Sequence, residues 1–362
     1  MTIVLFIAGL VALVVGADLL VRGASRLALS FGISPLVVGL TVVAFGTSAP
    51  ETAVSIGAVL EGKTDLGVGN VVGSNIFNVL GILGLSAMIA PLIVNVQLIR
   101  QEVPIMLGAS ILMMVMGLDG TLGFVDCAIL FGLLLTYTTF LIVQSRRQGK
   151  AAEAEFAEEF GPTGGWMDAW MSRIPVQLAL IAVGLGGLVL GSNWLVDSSV
   201  SFAKALGVSD LVIGLTIVSI GTSLPEVATS VVAALKGERD IAVGNVVGSN
   251  TFNIFCVLGL SGLFAGSEGL PLAPSLLAFD IWVMLAAALA CVPVFLTGRE
   301  IARWEGTVFV AYYAAYVGYL VLVAQKHAAL GTYTEAMTSF AVPLTVITLV
   351  VVMIRNTPPP RE

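Results

Sequence analysis

Residues 41–86 read "TVVAFGTSAPETAVSIGAVLEGKTDLGVGNVVGSNIFNVLGILGLS", and residues 216–261 read "TIVSIGTSLPEVATSVVAALKGERDIAVGNVVGSNTFNIFCVLGLS". The two stretches agree at 27 of 46 positions with a shift of 175 residues. Shared apolar composition does not make Gly, Thr, Ser, Pro, Glu and Asn recur in register, so the chain is internally duplicated. Each copy also places a glutamate, Glu51 or Glu226, directly after a proline inside a run long enough to cross a bilayer. A carboxylate in hydrocarbon is costly and marks a functional position.

The chain has 362 residues, 57% hydrophobic and 11% charged, whereas a soluble protein carries about 25% charged residues. Apolar runs of about 20 residues span about 30 Å of hydrocarbon as helices. Eleven such runs are read at 3–22, 34–60, 66–90, 101–118, 121–144, 174–197, 208–235, 241–265, 275–297, 305–325 and 336–354. The expected fold is therefore an all-α polytopic membrane protein. The first run has no basic segment before it and no small-residue cleavage site after it, which predicts a retained helix. Cys127, Cys256 and Cys291 fall in apolar runs without metal-ligand spacing and are expected to be free packing residues.

With the N-terminus outside, 13 of the 16 Lys and Arg residues face the cytoplasm, and only Lys63, Lys204 and Lys326 remain outside. That bias is the positive-inside pattern of short loops. Residues 146–173 form the one long polar stretch and are read as a cytoplasmic linker whose glutamates solvate a helix. They lack the spacing of a calcium-binding loop. The net charge of -7 excludes a nucleic-acid binder. One run precedes the first copy's glutamate helix and six precede the second's, an odd offset of five, so the copies enter the membrane from opposite sides. An inverted repeat of this kind is how secondary transporters build a midplane site. The domain reading is a first five-helix repeat at 1–145, the linker at 146–173, a second five-helix repeat at 174–326, and an appended eleventh helix and tail at 327–362.

Thr47 and Glu51 are four residues apart, as are Thr222 and Glu226, so each hydroxyl and carboxylate is expected on one helix face. Pro50 and Pro225 each remove a backbone N–H and clash with the carbonyl four residues back, which frees oxygens around Gly46 and Gly221. In the following helix, Ser74 with Asn78 and Ser249 with Asn253 repeat the four-residue spacing. Gly69, Gly73, Gly244 and Gly248 supply a small-residue face expected to let this helix approach the glutamate helix. The donor set is all oxygen, which suits Ca²⁺ and, with unwound carbonyls, Na⁺; it holds no thiolate or imidazole for softer metals. Asn75 and Asn250, one step away, are read as packing. Asp18, Asp126, Asp197 and Asp280 lie near helix ends without a repeat partner and are read as interfacial.

The motifs "GTSAPE" with "GNVVGSNIFN" and "GTSLPE" with "GNVVGSNTFN" resemble the two alpha-repeats of the sodium/calcium exchanger family within the cation/Ca²⁺ antiporter superfamily, in its prokaryotic form. The resemblance spans both repeats and leaves out the linker and the eleventh helix. It implies a ten-helix core of two inverted repeats that exchanges Na⁺ for Ca²⁺ by alternating access, with both ions as cargo, no cofactor, and a location in the inner or plasma membrane. By motif position, Glu51 and Glu226 resemble the acidic ligands shared by both ions, and Thr47 and Thr222 resemble ligands completing the calcium site. Ser48, Ser74, Ser219, Ser223 and Ser249 resemble contributors to flanking sodium sites, and Asn78 and Asn253 fall at the middle position. Family members commonly carry an acid at one middle position, whereas both are Asn here. A proton-coupled exchanger would usually show "GNA" before the glutamate, and a potassium-dependent one Asp where Glu226 stands. A channel would carry Ca²⁺ without a counter-ion. An intramembrane enzyme lacks support: His327, the one histidine, lies in an expected loop, no Gly-x-Ser-x-Gly elbow occurs, and "GLDG" at 117–120 has no partner aspartate motif.

Overall fold

The computed structural model describes residues 2–31, 33–160, 173–205 and 219–355. Its elements are α1 (Thr2–Phe31), α2 (Leu36–Thr47), α3 (Ala49–Leu60), α4 (Thr64–Ile89), α5 (Leu98–Asp119), α6 (Phe124–Phe160), α7 (Ile174–Ala205), α8 (Leu224–Leu235), α9 (Arg239–Glu268), α10 (Leu276–Leu296), α11 (Arg303–Ala324) and α12 (Leu330–Val352). Among the described residues, nine helices are long and apolar enough to cross a membrane, and α2 with α3 make a tenth span bent by 44°. Eleven runs were expected; the remaining one, 208–235, lies partly outside the described residues, which retain the turn Ser219–Thr222 and α8. Of the linker, α6 covers the part up to Phe160, and 161–172 lie outside the described residues.

Four two-residue strands, absent from the sequence reading, tie the loops: β1 (Leu92–Ile93) pairs antiparallel with β4 (Glu300–Ile301), and β2 (Thr121–Leu122) with β3 (Leu270–Pro271). Each pair joins the first half of the chain to the second, with the roles exchanged. The helices obey the same exchange. Gly9 of α1 abuts Gly191 of α7, Gly16 abuts Gly184, and Gly23 abuts Gln177 and Ile181. Numbers rise along one helix as they fall along the other, so these corresponding helices run antiparallel.

The α1–α7 contact depends on bare backbone. A Cβ on Gly16 would stand 2.8 Å from the Gly184 carbonyl oxygen and 2.8 Å from the Leu188 nitrogen. In lipid, where apolar burial gives little drive for helix association, such close packing supplies the attraction. The α4 and α9 pair occupies the centre: the apolar stretch of α9 is wholly buried, while none of α12's is. The small-residue face acts differently from expectation. Gly244 and Gly248 pack on Leu36 and Leu40 of α2 in the opposite half, Gly69 meets nothing, and Gly67 makes the close approach to α3, facing the Ser55 carbonyl. A residue with a short side chain was needed wherever backbones meet, and for Gly244 and Gly248 the meeting point lies between halves.

Two of the four aspartates read as unpaired do have counterparts. Asp126 caps α6 by accepting from the Gly123 N–H at 2.9 Å, and Glu305 caps α11 by accepting from the Ala302 N–H at 2.8 Å. Glu102 accepts from the Tyr137 hydroxyl at 2.7 Å, as Asp280 does from Tyr316 at 2.8 Å. After Ser86 and Ser261 the register between halves grows from 175 residues to 178 for Glu102 and Asp280 and to 179 for Asp126 and Glu305, which hid both pairs. Asp18, in turn, forms ion pairs with Arg22, at 2.8 Å, and with Lys236, tying α1 to the loop after α8. The cysteines are free and buried.

Gly16→Val is expected to destabilise the protein by about 1–3 kcal/mol through overpacking, read as a lowered thermal midpoint in detergent. Gly132→Ala, where a new Cβ meets nothing within 4 Å, is expected to leave the midpoint unchanged.

Candidate cation site

The bent span breaks at Ser48, whose φ of -84° and ψ of 9° leave helical geometry between α2 and α3, with Pro50 second in the new helix. Ser223, with φ -91° and ψ 9°, breaks the other half in the same way before Pro225. These breaks bring Glu51 and Glu226 into the first turns of α3 and α8, where the positive helix end favours a carboxylate. The freed Gly221 carbonyl accepts from the Ser192 hydroxyl at 2.5 Å. Both glutamates are 1% exposed.

The site is laced crosswise. The Ser48 hydroxyl donates to Glu226 Oε1 at 3.0 Å, and the Ser223 hydroxyl donates to Glu51 Oε1 at 2.9 Å. Thr47 and Thr222 do not turn to the glutamate of their own helix. The break intervenes, and Thr47 Oγ1 donates to Asn245 Oδ1 at 3.2 Å while Thr222 Oγ1 lies 3.5 Å from Asn70 Oδ1. Ser74 Oγ and Ser223 Oγ are 3.3 Å apart. Asn78 and Asn253 lie at the wide π-helical turns Phe77–Leu83 and Asn253–Leu258, which turn these side chains off the regular helical face. Ser249 is buried in α9; Ser219 begins the short turn Ser219–Thr222, and its side chain lies outside the described ones.

Asn70 and Asn245 escaped the sequence reading. Asn70 Nδ2 donates to the Ser55 hydroxyl at 3.1 Å and lies 3.4 Å from the Glu51 carbonyl oxygen; Asn245 Nδ2 makes the same contacts with Ser230, at 2.9 Å, and the Glu226 carbonyl, at 3.4 Å. Their signal was available, since Asn70, Ser74 and Asn78 recur every four residues along one face.

Several buried atoms are left over. Glu51 Oε2, Glu226 Oε2, Asn78 Oδ1, Asn253 Oδ1 and Ser249 Oγ have no hydrogen-bond partner. Among the described residues, no cationic side chain forms an ion pair with either glutamate. Buried polar groups are normally satisfied, and an isolated buried carboxylate costs several kcal/mol. Four of the five unpaired atoms are carboxylate or amide carbonyl oxygens, which accept only, so the chemistry they await is that of a hard cation.

Comparison with known proteins gives the family. The family model described as sodium/calcium exchanger protein matches residues 1–143 and 176–322. The chain belongs to the sodium/calcium exchanger family. It is thus an integral membrane transporter and not an enzyme. The match leaves out 144–175 and 323–362. The exchanger is 41% identical over 275 residues to inner membrane protein YrbG of Escherichia coli, covering 75% of this chain and 82% of that one. It is 34% identical over 337 residues to sodium/calcium exchanger MaX1 of Methanosarcina acetivorans, covering 85% and 95%. Among solved structures, the sodium-calcium exchanger NCX_Mj, soaked with zero Na⁺ and Ca²⁺, superposes with a TM-score of 0.73 at 32% identity, covering 88% of this chain and 98% of that chain.

Asn245→Leu would leave the Ser230 hydroxyl and the Glu226 carbonyl without their amide donor. An unsatisfied buried polar group costs about 1–3 kcal/mol. A fall in the thermal midpoint of that size is expected for Asn245→Leu and likewise for Asn70→Leu.

Proposed function

We propose that the protein is an antiporter that exchanges Na⁺ for Ca²⁺ by alternating access at a midplane site formed by Glu51 and Glu226. The observation that supports this reading most is the pair of buried glutamates, one per half, each bonded by the other half's serine and each with one unpartnered oxygen. Two carboxylates balance one Ca²⁺ or two Na⁺. The ions therefore compete for the same charge, and binding of one opposes binding of the other by reciprocal linkage. In this scheme Asn78 and Asn253 contribute neutral amide oxygens, Thr47 and Thr222 complete the calcium site, and Ser48, Ser74, Ser219, Ser223 and Ser249 serve the sodium ions. The antiparallel α1–α7 contact and the exchanged strand pairs support two inverted repeats, 1–145 and 174–326, joined by a cytoplasmic linker at 146–173 and followed by an appended segment at 327–362. The N-terminus lies outside.

The decisive experiment is ⁴⁵Ca²⁺ uptake into proteoliposomes loaded with Na⁺, K⁺ or protons. Uptake is expected only with an outward Na⁺ gradient, and to be unaffected by K⁺. Uptake driven by protons, or dependent on K⁺, would replace the coupling ion, and uptake without any counter-ion gradient would make the protein a channel. Glu51→Gln and Glu226→Gln each leave one charge of a divalent ion uncompensated in a low-dielectric site, worth several kcal/mol. Each is expected to reduce exchange at least about a hundredfold while the protein remains folded. Robust sodium-driven flux in either variant would remove the shared site.

Orientation is read separately. Cysteines at 61–65 are expected to react with an impermeant reagent from outside, and cysteines at 236–240 only from the cytoplasm. Labelling of both loops from one side would remove the inverted arrangement.

A further inference from the structure

Four asparagines form a hydrogen-bonded network between α4 and α9, in which Asn75 and Asn250 close a two-residue ring and Asn78 and Asn253 are each attached to one of its members. Asn75 Nδ2 lies 3.3 Å from the Asn250 carbonyl oxygen, and Asn250 Nδ2 lies 3.3 Å from the Asn75 carbonyl oxygen. Asn78 Nδ2 donates to Asn250 Oδ1 at 2.9 Å, and Asn253 Nδ2 donates to Asn75 Oδ1 at 3.0 Å. All four residues are buried, at 1–2% exposure. Methionines from the neighbouring helices close the outer side: Met284 Sδ stands 3.7 Å from Asn75 Nδ2 and Met106 Sδ 3.5 Å from Asn250 Nδ2.

The network has a direction. Which end of an amide is oxygen must be settled by its partners, and here the partners leave one solution. A backbone carbonyl only accepts, so the NH₂ groups of Asn75 and Asn250 face the two carbonyls. Their Oδ1 atoms then face Asn253 and Asn78, which must present NH₂ in return. That leaves Asn253 Oδ1 and Asn78 Oδ1 directed away from the ring, and these are two of the buried oxygens without a partner. Donation thus runs from Asn78 through Asn250 to the Asn75 carbonyl, and from Asn253 through Asn75 to the Asn250 carbonyl, leaving one acceptor oxygen at the head of each path.

We infer that Asn75 and Asn250 are positioning residues for cation binding: Asn250 holds the Asn78 amide, and Asn75 the Asn253 amide, with the carbonyl oxygen turned to the ion. The inference rests on the cation site proposed above. Without Asn250, the Asn78 amide is free to present NH₂, a donor, where the cation needs an acceptor. Asn250 therefore acts on the ion through Asn78, and Asn75 through Asn253.

The test is a pair of double-mutant cycles read as Ca²⁺ affinity by isothermal titration of the purified full-length protein in detergent, with thermal unfolding as the check on folding. Interaction between two sites shows as non-additivity. Asn250→Ala is expected to weaken Ca²⁺ binding about tenfold, the effect of losing one well-placed ligand interaction. Added to Asn78→Ala, it is expected to cause no further loss, within about twofold; added to Asn253→Ala, it is expected to multiply. The mirror cycle, Asn75→Ala with Asn253→Ala and with Asn78→Ala, is expected to give the reverse pattern and serves alone if Asn250→Ala does not fold; Asn250→Ser and Asn75→Ser replace the alanine variants if neither folds. Unchanged affinity in the single variants, or effects that multiply equally with both partners, would overturn the positioning role and assign the network to packing. Failure of the wild-type protein to bind Ca²⁺ would instead overturn the cation site itself.

Discussion

Two carboxylates share the centre of this membrane protein, and among the described residues no cationic side chain pairs with either. Each of the two positions is buried, and each has only one oxygen satisfied by a serine of the other half. Charge in such a place is tolerated only when something compensates it. The rest of the architecture follows from that requirement. The helix breaks at Ser48 and Ser223 set the glutamates at positive helix ends, and the prolines keep those breaks open. Compensation by a resident Lys or Arg would have made a static ion pair. In the proposed exchange, compensation is left to an ion, which would make the site responsive to what the two solutions contain.

Much of this was legible in the chain. Glu51 and Glu226 stood out because they violate the local hydropathy and do so twice in one register. Pro50 and Pro225 predicted broken helices for a stereochemical reason that does not depend on tertiary context, and both breaks occur. The apolar runs identified the spans because backbone hydrogen bonding inside a bilayer leaves few alternatives. Ten of the eleven runs correspond to spans in the described residues, with 34–60 as the bent pair.

What escaped the sequence was partnership. Spacing places Thr47 near Glu51 only if the helix is continuous, and the break that the proline creates sends Thr47 to Asn245 instead. Asn70 and Asn245 were passed over because nothing within one copy reveals that a side chain will bridge two helices of its own half and meet a threonine of the other. The Asp126–Glu305 and Glu102–Asp280 correspondences were hidden by a slip in register, not by weak chemistry, since the carboxylates do the same work in both halves. Gly244 and Gly248 were recognised as small for a reason, but the reason was a contact between halves. Local rules reach as far as one helix turn or one repeat; the pairings between repeats lie beyond them.

The crosswise lacing also has a historical consequence. Because Ser48 bonds Glu226 and Ser223 bonds Glu51, one half alone has a carboxylate whose serine is missing and a serine whose carboxylate is missing. A single-repeat ancestor could have assembled this centre only by associating with an upside-down copy of itself, which requires a chain that inserts in both orientations. Gene fusion through an added linker would have freed the two copies from sequence identity while fixing their opposed directions. The asymmetries seen now, such as Thr229 standing where the first copy has Val54 and α12 packed against α11 of the second half, are divergence open to copies that no longer share one sequence.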